Sequence, residues 1–421
     1  MNPKKIGKDL ICRLLERQVK QLRHKNGFRV VAVAGSVGKT STKLAIAKTL
    51  GHSRKVIYQD GNYNDRLTVP LVLFGQAEPN ILNPLAWAKI LRANAKMLKQ
   101  PYPYEIAVLE LGVDGMGQMQ DFAYLHPELA VVTAVAPEHM EYFGNLQNVA
   151  NEELAVLSFS HEGLLNIDDI AKEYLPEVEY LSYGMRAGDY NVASRSDKQL
   201  AGQTVTFSLA NGEKLEANTA FLGEQGAKVA LAAVAASHKL GLSTQEIKEG
   251  LEKVKPFAGR MQVLQGIQNT QIIDDTYNAS PLAVKAALDV LYATEAPKRI
   301  AILGSMNEMG EGSSEMHREI GEYCDPAKLD LVVTIGKQAG EFLAPAALKK
   351  GCTVKTFVSP YEAGEFVKNQ LQDSAVVLAK GSQNGVFAEE AIKQLLANPE
   401  DATKLVRQSD SWLRAKVKQF K

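Results

Sequence analysis

The segment Val30-Val31-Ala32-Val33-Ala34-Gly35-Ser36-Val37-Gly38-Lys39-Thr40-Ser41 joins a run of small aliphatic residues to a glycine turn and a Lys-Thr pair, and a helical pattern leaves it from Lys43 to Leu50. The order predicts a buried strand, a turn and a helix, with the glycines where strand becomes helix. Such a turn suits a phosphate. Gly35 and Gly38 let the backbone aim N–H groups at an anion, the helix start adds its dipole, Lys39 brings a point charge, and the Thr40 hydroxyl can ligate Mg²⁺. Val33 stands where the full Walker A spacing has its first glycine, so the segment reads as the shorter G-x-x-G-K-T form. Gly35, Ser36, Gly38, Lys39, Thr40 and Ser41 are therefore the candidate nucleotide-phosphate contacts.

Working outward, Lys55 to Tyr58 reads as a short strand before the polar loop Asp60–Asp65, and Tyr104 to Leu111 as a buried strand ending at Glu110. A carboxylate at the C-terminal end of a parallel strand lies beside the phosphate turn in a doubly wound sheet, which makes Glu110 a candidate metal ligand and leaves Asp114 as a loop cap. Leu129 to Ala136 reads as a further strand delivering Glu138-His139-Met140, so His139 falls on the same rim as a metal or phosphate ligand. Asn148 to Phe159 reads as a helix carrying Glu152 and Glu153. From about Tyr190 to Leu222 short alternating runs predict an antiparallel hairpin at the edge of the main sheet, followed by the Ala-rich helix Ala227–Leu240. After Pro256–Arg260 a new series begins: strands near Gln271–Asp275, Ile300–Leu303, Leu331–Ile335 and Val376–Leu378, each ending in a glycine or polar loop. The expected fold class is α/β: a P-loop domain with a mainly parallel sheet, plus a smaller Rossmann-like α/β domain. The expected division is a basic N-terminal helix (1–28), an ATP-binding domain (29–258) and a C-terminal domain (259–421).

Composition narrows the setting. The chain has 421 residues, 48 basic against 48 acidic, so no global charge draws it to nucleic acid or membrane. Three distant cysteines, Cys12, Cys324 and Cys352, fit neither a disulfide framework nor a zinc site and point to reduced cytoplasm. No run is long and apolar enough to span a membrane, and Met1–Lys5 is not followed by a signal core. Residues 4 to 25 read as a basic amphipathic helix with Ile6, Leu10, Leu14, Leu15, Val19 and Leu22 on one side; packing on the following domain is preferred over contact with a membrane or a partner.

Taken in order, Gly35–Thr40, Gly61-Asn62-Tyr63-Asn64, Leu109-Glu110-Leu111-Gly112, Glu138–Gly144, Gly259-Arg260, Asp274-Asp275-Thr276-Tyr277-Asn278-Ala279-Ser280-Pro281 and Lys380-Gly381-Ser382 resemble the Mur ligases over residues 29 to 395. The resemblance is nearest to the member that adds D-alanyl-D-alanine to a UDP-muramoyl tripeptide. It implies ATP-dependent amide synthesis: a carboxylate attacks the γ-phosphate, and an amine then displaces phosphate from the acyl phosphate. By resemblance Lys39 contacts the β/γ-phosphates, Thr40 and Glu110 hold one Mg²⁺, and Glu110 with His139 holds a second. Arg260, Asp275 and Asn278 reach the nucleotide from the C-terminal domain, with Pro256–Arg260 as hinge. Glu153 falls where the family has a carbamylated lysine bridging the metals, and supplies a carboxylate there. Gln225, Gly226 and Val229 replace the family's adenine-binding residues, and Gln383 replaces an arginine. The family's own N-terminal domain grips UDP, so with only residues 1–28 before the first strand the expectation is either an acceptor that is not UDP-linked or a partner that holds it.

The reading is a cytoplasmic ATP- and Mg²⁺-dependent carboxylate–amine ligase, with Lys39, Glu110 and His139 as catalytic residues, acting on a small muramyl-peptide or peptide substrate and not on nucleic acid. The alternatives are a Mur-like ligase extending another peptide or polyglutamate chain, and a nucleotide-binding relative without catalysis.

Overall fold

The computed structural model describes residues 3–61 and 63–420, with the backbone alone for residues 3–6. Asn62 of the Gly61–Asn64 motif, Met1 and Asn2, and the side chain of Ile6 lie outside the described residues.

Two sheets organise the chain. The first contains β1 (Arg29–Ala34), β2 (Val56–Tyr58), β3 (Ile106–Glu110), β4 (Leu129–Val132), β5 (Glu162–Asn166), β6 (Leu181–Gly184), β7 (Tyr190–Asp197), β8 (Gln203–Ser208) and β9 (Lys214–Thr219), in the order β2-β3-β1-β4-β5-β6-β7-β8-β9. Pairing is parallel from β2 to β7, and β7-β8-β9 form the antiparallel edge expected from the alternating runs. β3 and β4 are buried throughout, as strands covered on both faces must be. Alternate residues of β1 serve two cores. Val31 and Val33 pack with the helices Lys39–Leu50 and Gly223–Lys239, whereas Val30 and Ala32 pack with Val19 and Leu22 of the N-terminal helix Pro3–Asn26. That helix therefore docks Val19 and Leu22 on the sheet, while Leu10 and Leu14 of its expected apolar side stay exposed.

The second sheet contains β10 (Gln262–Gln265), β11 (Gln271–Asp275), β12 (Arg299–Gly304), β13 (Leu331–Ile335), β14 (Val354–Phe357) and β15 (Val376–Lys380), in the order β10-β11-β15-β12-β13-β14. It is parallel except for β10, which runs antiparallel to β11. Both edge strands go beyond the four expected. They are four residues long, and β14 has two exposed residues, so neither carries an apolar run.

The expected strand Leu129–Ala136 stops at Val132, because the Thr133 hydroxyl is drawn to Ala34 O (3.1 Å) and Val37 O (2.7 Å), pinning the phosphate turn. The helix expected to Phe159 is α-helical over Leu146–Leu154 and tightens to a 3₁₀ turn over Ala155–Phe159.

Candidate active site

In the first sheet the chain leaves β1 toward β3 on one side and β4 on the other, which makes the carboxyl end of β1 a topological switch point and opens a crevice there. Gly35–Gly38 fills it. Gly35 (φ 117°) and Gly38 (φ 86°) adopt conformations that strain any other residue, and a Cβ on Gly35 would lie 2.4 Å from Thr133 Oγ1 and 2.8 Å from the Ala134 backbone nitrogen. Ser36 is locked by its amide to Ala134 O (2.9 Å), while its hydroxyl accepts from Ala136 N (3.1 Å). The helix that starts at Lys39 has no side-chain cap, so its first N–H groups face the crevice.

Carboxylates surround the turn. Lys39 Nζ donates to Glu138 Oε2 (3.1 Å) and lies 3.9 Å from Glu153 Oε1; burial opposes its charge, but Glu138, Glu153 and Glu110 together hold its pKa above the usual lysine range. The Gly35 amide donates to Glu153 Oε2 (2.6 Å). Burial raises Glu153 to about 7, against the opposing pull of Lys39. Glu152 and Glu153 are both buried, and neither lies on a solvated helix face. They divide the work: Glu152 accepts from the amides of Gly117 and Met119, leaving Glu153 alone on the phosphate turn.

Glu110 ends β3 and is fixed by Gln59, which accepts from the Glu110 amide and donates to its carbonyl (both 2.8 Å). Its carboxylate receives Thr40 Oγ1 (3.2 Å) and Asn64 Nδ2 (3.3 Å) and lies 3.4 Å from the buried Lys43 Nζ. His139 (φ 50°) turns its ring toward the second sheet: Nδ1 lies 2.9 Å from Glu308 Oε2, and Nε2 lies 3.4 Å from Asp114 Oδ1. Asp114 thus faces a histidine instead of capping its own loop.

The second sheet closes the other wall. Arg260 stacks over the Tyr277 ring (4.0 Å) and donates from Nη2 to Thr40 Oγ1 (3.1 Å), reaching the phosphate turn from across the crevice. Asp275 accepts from Lys380 Nζ (2.5 Å) and the Met261 amide (3.2 Å), and the Asn278 carbonyl takes a second bond from Lys380 (2.9 Å). Asp274, fully buried, accepts from Thr276 and the Gly259 amide, and burial raises it to about 6 despite those bonds. The resulting cavity of about 490 Å³ is lined by residues of both sheets, including every candidate phosphate contact except Gly35. Its lining is polar at residues such as Lys39, Glu110 and His139 and apolar at residues such as Val229 and Val290.

The structure thus gathers Ser36, Gly38, Lys39, Thr40, Ser41, Glu110, His139, Arg260, Asp275 and Asn278 around one cavity, with Gly35 and Glu153 directly behind the turn. Sequence reasoning assigned no role to Glu138, Lys43, Tyr277 or Glu308. Lys43 follows Lys39 by one helical turn and so shares its face, a signal that was readable. Glu308 lies in the polar loop after β12 and meets His139 only through the fold.

These features define a class: P-loop proteins in which a second α/β unit faces the phosphate site across a shared cleft. The Mur ligase middle domain matches residues 33–237, and the Mur ligase glutamate ligase domain matches residues 259–383. The chain is 31% identical over 389 residues to the UDP-N-acetylmuramoyl-tripeptide--D-alanyl-D-alanine ligase of Haemophilus influenzae, covering 87% of this chain and 76% of that one. It is 29% identical to the ligase of the same name from Bacillus subtilis, covering 91% and 79%. Its fold is that of the MurF ligase from Thermotoga maritima solved in complex with ADP, with a TM-score of 0.73 at 23% identity over 94% of this chain and 84% of that one. The chain belongs to the Mur ligase family, whose domains are those of ATP-dependent amide-bond ligases.

Proposed function

We propose that the chain joins a peptide carboxylate to an amine at the expense of ATP, through an acyl phosphate, with a muramyl peptide as acceptor and D-alanyl-D-alanine as amine. The observation that carries this reading is the contact of Arg260 with Thr40, which brings the second sheet onto the phosphate turn where Glu110 also converges. A phosphate, a carboxylate and an amine must meet in one desolvated place, and a cleft walled by two units supplies it. In this reading residues 29–258 bind the nucleotide phosphates, residues 259–421 supply Arg260, Asp275 and Asn278, and Pro256–Arg260 is the hinge.

Lys39 would neutralise the β/γ-phosphate oxygens, for which Glu138 is its present substitute. Thr40 and Glu110 suit a Mg²⁺ ion: their oxygens lie 3.2 Å apart, close to the roughly 3.0 Å between neighbouring ligands of an octahedral ion with bonds of about 2.1 Å. When bound there, the ion would neutralise charge on the transferring phosphoryl group. Among the described residues no group of three or more His, Cys, Asp or Glu side chains is arranged to hold a metal. Glu153 and His139 are engaged by Gly35 and Glu308, so ligation by either requires those contacts to be exchanged.

The test is phosphate release from ATP and Mg²⁺ with the muramyl peptide and D-alanyl-D-alanine added singly and together, beside a Lys39→Ala control. Release that needs both substrates and is lost in the control supports the reading; release with neither identifies a hydrolase and overturns it.

A further inference from the structure

The N-terminal helix Pro3–Asn26 and the helix Pro84–Met97 pack side by side. Gln18 donates to Leu91 O (2.9 Å) and accepts from Asn94 (2.9 Å), Lys25 donates to Leu98 O (2.9 Å), and Cys12, Leu15, Trp87 and Ile90 form the seam. Their outward faces have an unusual composition. Leu10 and Leu14 on the first helix, Leu85 in the first turn of the second and Leu82 just before it are 58%, 39%, 82% and 61% exposed; among the described residues the only other leucine so exposed is Leu348. Beside them Arg17 and Lys20 on one helix, and Lys89, Arg92, Lys96 and Lys99 on and just beyond the other, are exposed and make no ion pair among the described residues. Residues 79–104 contain no carboxylate, although the chain as a whole is neutral. Isolated exposed leucines need no explanation, but their collection at one pole of an unneutralised basic face does.

We propose that this two-helix face docks the protein on an anionic phospholipid bilayer. The unpaired cations complement the negative surface, and the leucine pole enters the headgroup boundary. A nucleic acid would satisfy the cations but leave the leucines in water, so the observations favour lipid. The N-terminal end of the first helix lies beside the cleft: Lys8 pairs with Asp65 (3.4 Å), and Asp65 lines the cavity. Docking by this face therefore holds the Asp65 side of the cleft close to the membrane surface. The inference does not depend on the acceptor or amine proposed above.

The test is flotation of the full chain with vesicles of phosphatidylcholine alone, or with about a third phosphatidylglycerol, at about 0.1 M salt. Binding to the anionic vesicles and not to the neutral ones is expected. Each basic residue near such a surface contributes about five-fold in affinity, so the variant Lys89→Gln/Arg92→Gln/Lys96→Gln/Lys99→Gln should bind at least about a hundred-fold more weakly. The variant Leu14→Ser/Leu85→Ser should keep low-salt binding and lose what remains in high salt. Circular dichroism verifies that both variants, altered only at exposed positions, are folded. The proposal is overturned if the wild-type chain does not float with anionic vesicles, if the glutamine variant floats as well as wild type, or if duplex DNA at equal phosphate concentration strips the protein from the vesicles.

Discussion

Lys416→Met should destabilise the second unit far more than a typical single substitution. Lys416 sits on the terminal helix Asp410–Phe420 and is fully buried. Its ammonium lies 2.9 Å from Glu389 and 2.7 Å from Glu390 and donates to Arg407 O (2.8 Å). Arg407 (φ 55°) in turn grips Glu389 through two bonds and donates to the carbonyls of Tyr277 (2.9 Å) and Thr276 (2.6 Å), the turn on which Arg260 stacks. Removing the cation leaves two buried carboxylates sharing Arg407 and the more distant Lys393 (3.6 Å), and breaking a buried pair this way costs about 3–5 kcal/mol. For a unit of this size that is a fall of roughly 10 °C in its melting transition. The two tryptophans report separately, Trp412 on the terminal helix and Trp87 beside the first sheet, so urea or thermal melts followed by fluorescence in single-tryptophan backgrounds assign the loss. Only the Trp412 transition should move, and Lys416→Met/Glu390→Gln should recover a substantial part of it. KM for ATP should rise several-fold in Lys416→Met with kcat little changed, because the Thr276–Tyr277 turn loosens. A shift worth less than about 1 kcal/mol, or a double variant no better than the single one, would refute the assignment of an interdependent charge network.

Arg260→Lys keeps the charge but loses the planar stack on Tyr277, and should raise KM for ATP about ten-fold, read from initial rates across ATP concentrations. Gly35→Ala puts a methyl group against Thr133 and Ala134 at a φ that alanine resists; titration with a fluorescent nucleotide should detect no binding, and Thr133→Ala should not rescue it because backbone atoms also clash. Asp274 has its folded pKa raised from 3.8 to about 6, so the native state holds more protons than the unfolded state between those values. Its contribution therefore makes stability fall as pH rises from about 4 to about 6 and stay level above, by on the order of 3 kcal/mol. Urea titrations across that window should show a steeper fall than in Asp274→Asn, which keeps the slope of other raised carboxyls such as Glu153; identical slopes would contradict the assignment.

The phosphate turn was legible because everything it needs is local: strand, glycines, Lys39-Thr40 and helix lie within one short segment, and the chemistry fixes their order. Glu110 was legible as the last residue of β3, since parallel strands deliver their ends to a common rim, whereas His139 reaches that rim on the loop beyond β4. Other features were hidden by the same logic. Glu153 could be placed by resemblance, but its bond to the Gly35 amide joins residues 118 apart, and no local pattern encodes it. Arg407 grips the Tyr277 carbonyl across 130 residues, a separation that no local pattern spans. The end of β4 was misplaced because Val131 to Ala136 looks uniformly apolar apart from Thr133, the residue whose hydroxyl turns away to hold the phosphate turn. The N-terminal helix took its expected packed role only through Leu15, Val19 and Leu22, with Leu10 and Leu14 left exposed, and the basic face it shares with Pro84–Met97 emerged only once the two helices stood together.

The central claim is that a carboxylate oxygen attacks the γ-phosphate and leaves with it. Supplying the muramyl peptide with ¹⁸O in the reacting carboxylate, together with ATP, Mg²⁺ and D-alanyl-D-alanine, and weighing the released phosphate, tests it most directly. The account predicts one labelled oxygen in phosphate for each amide formed. Phosphate released without label would mean that water attacks the nucleotide, and would contradict it.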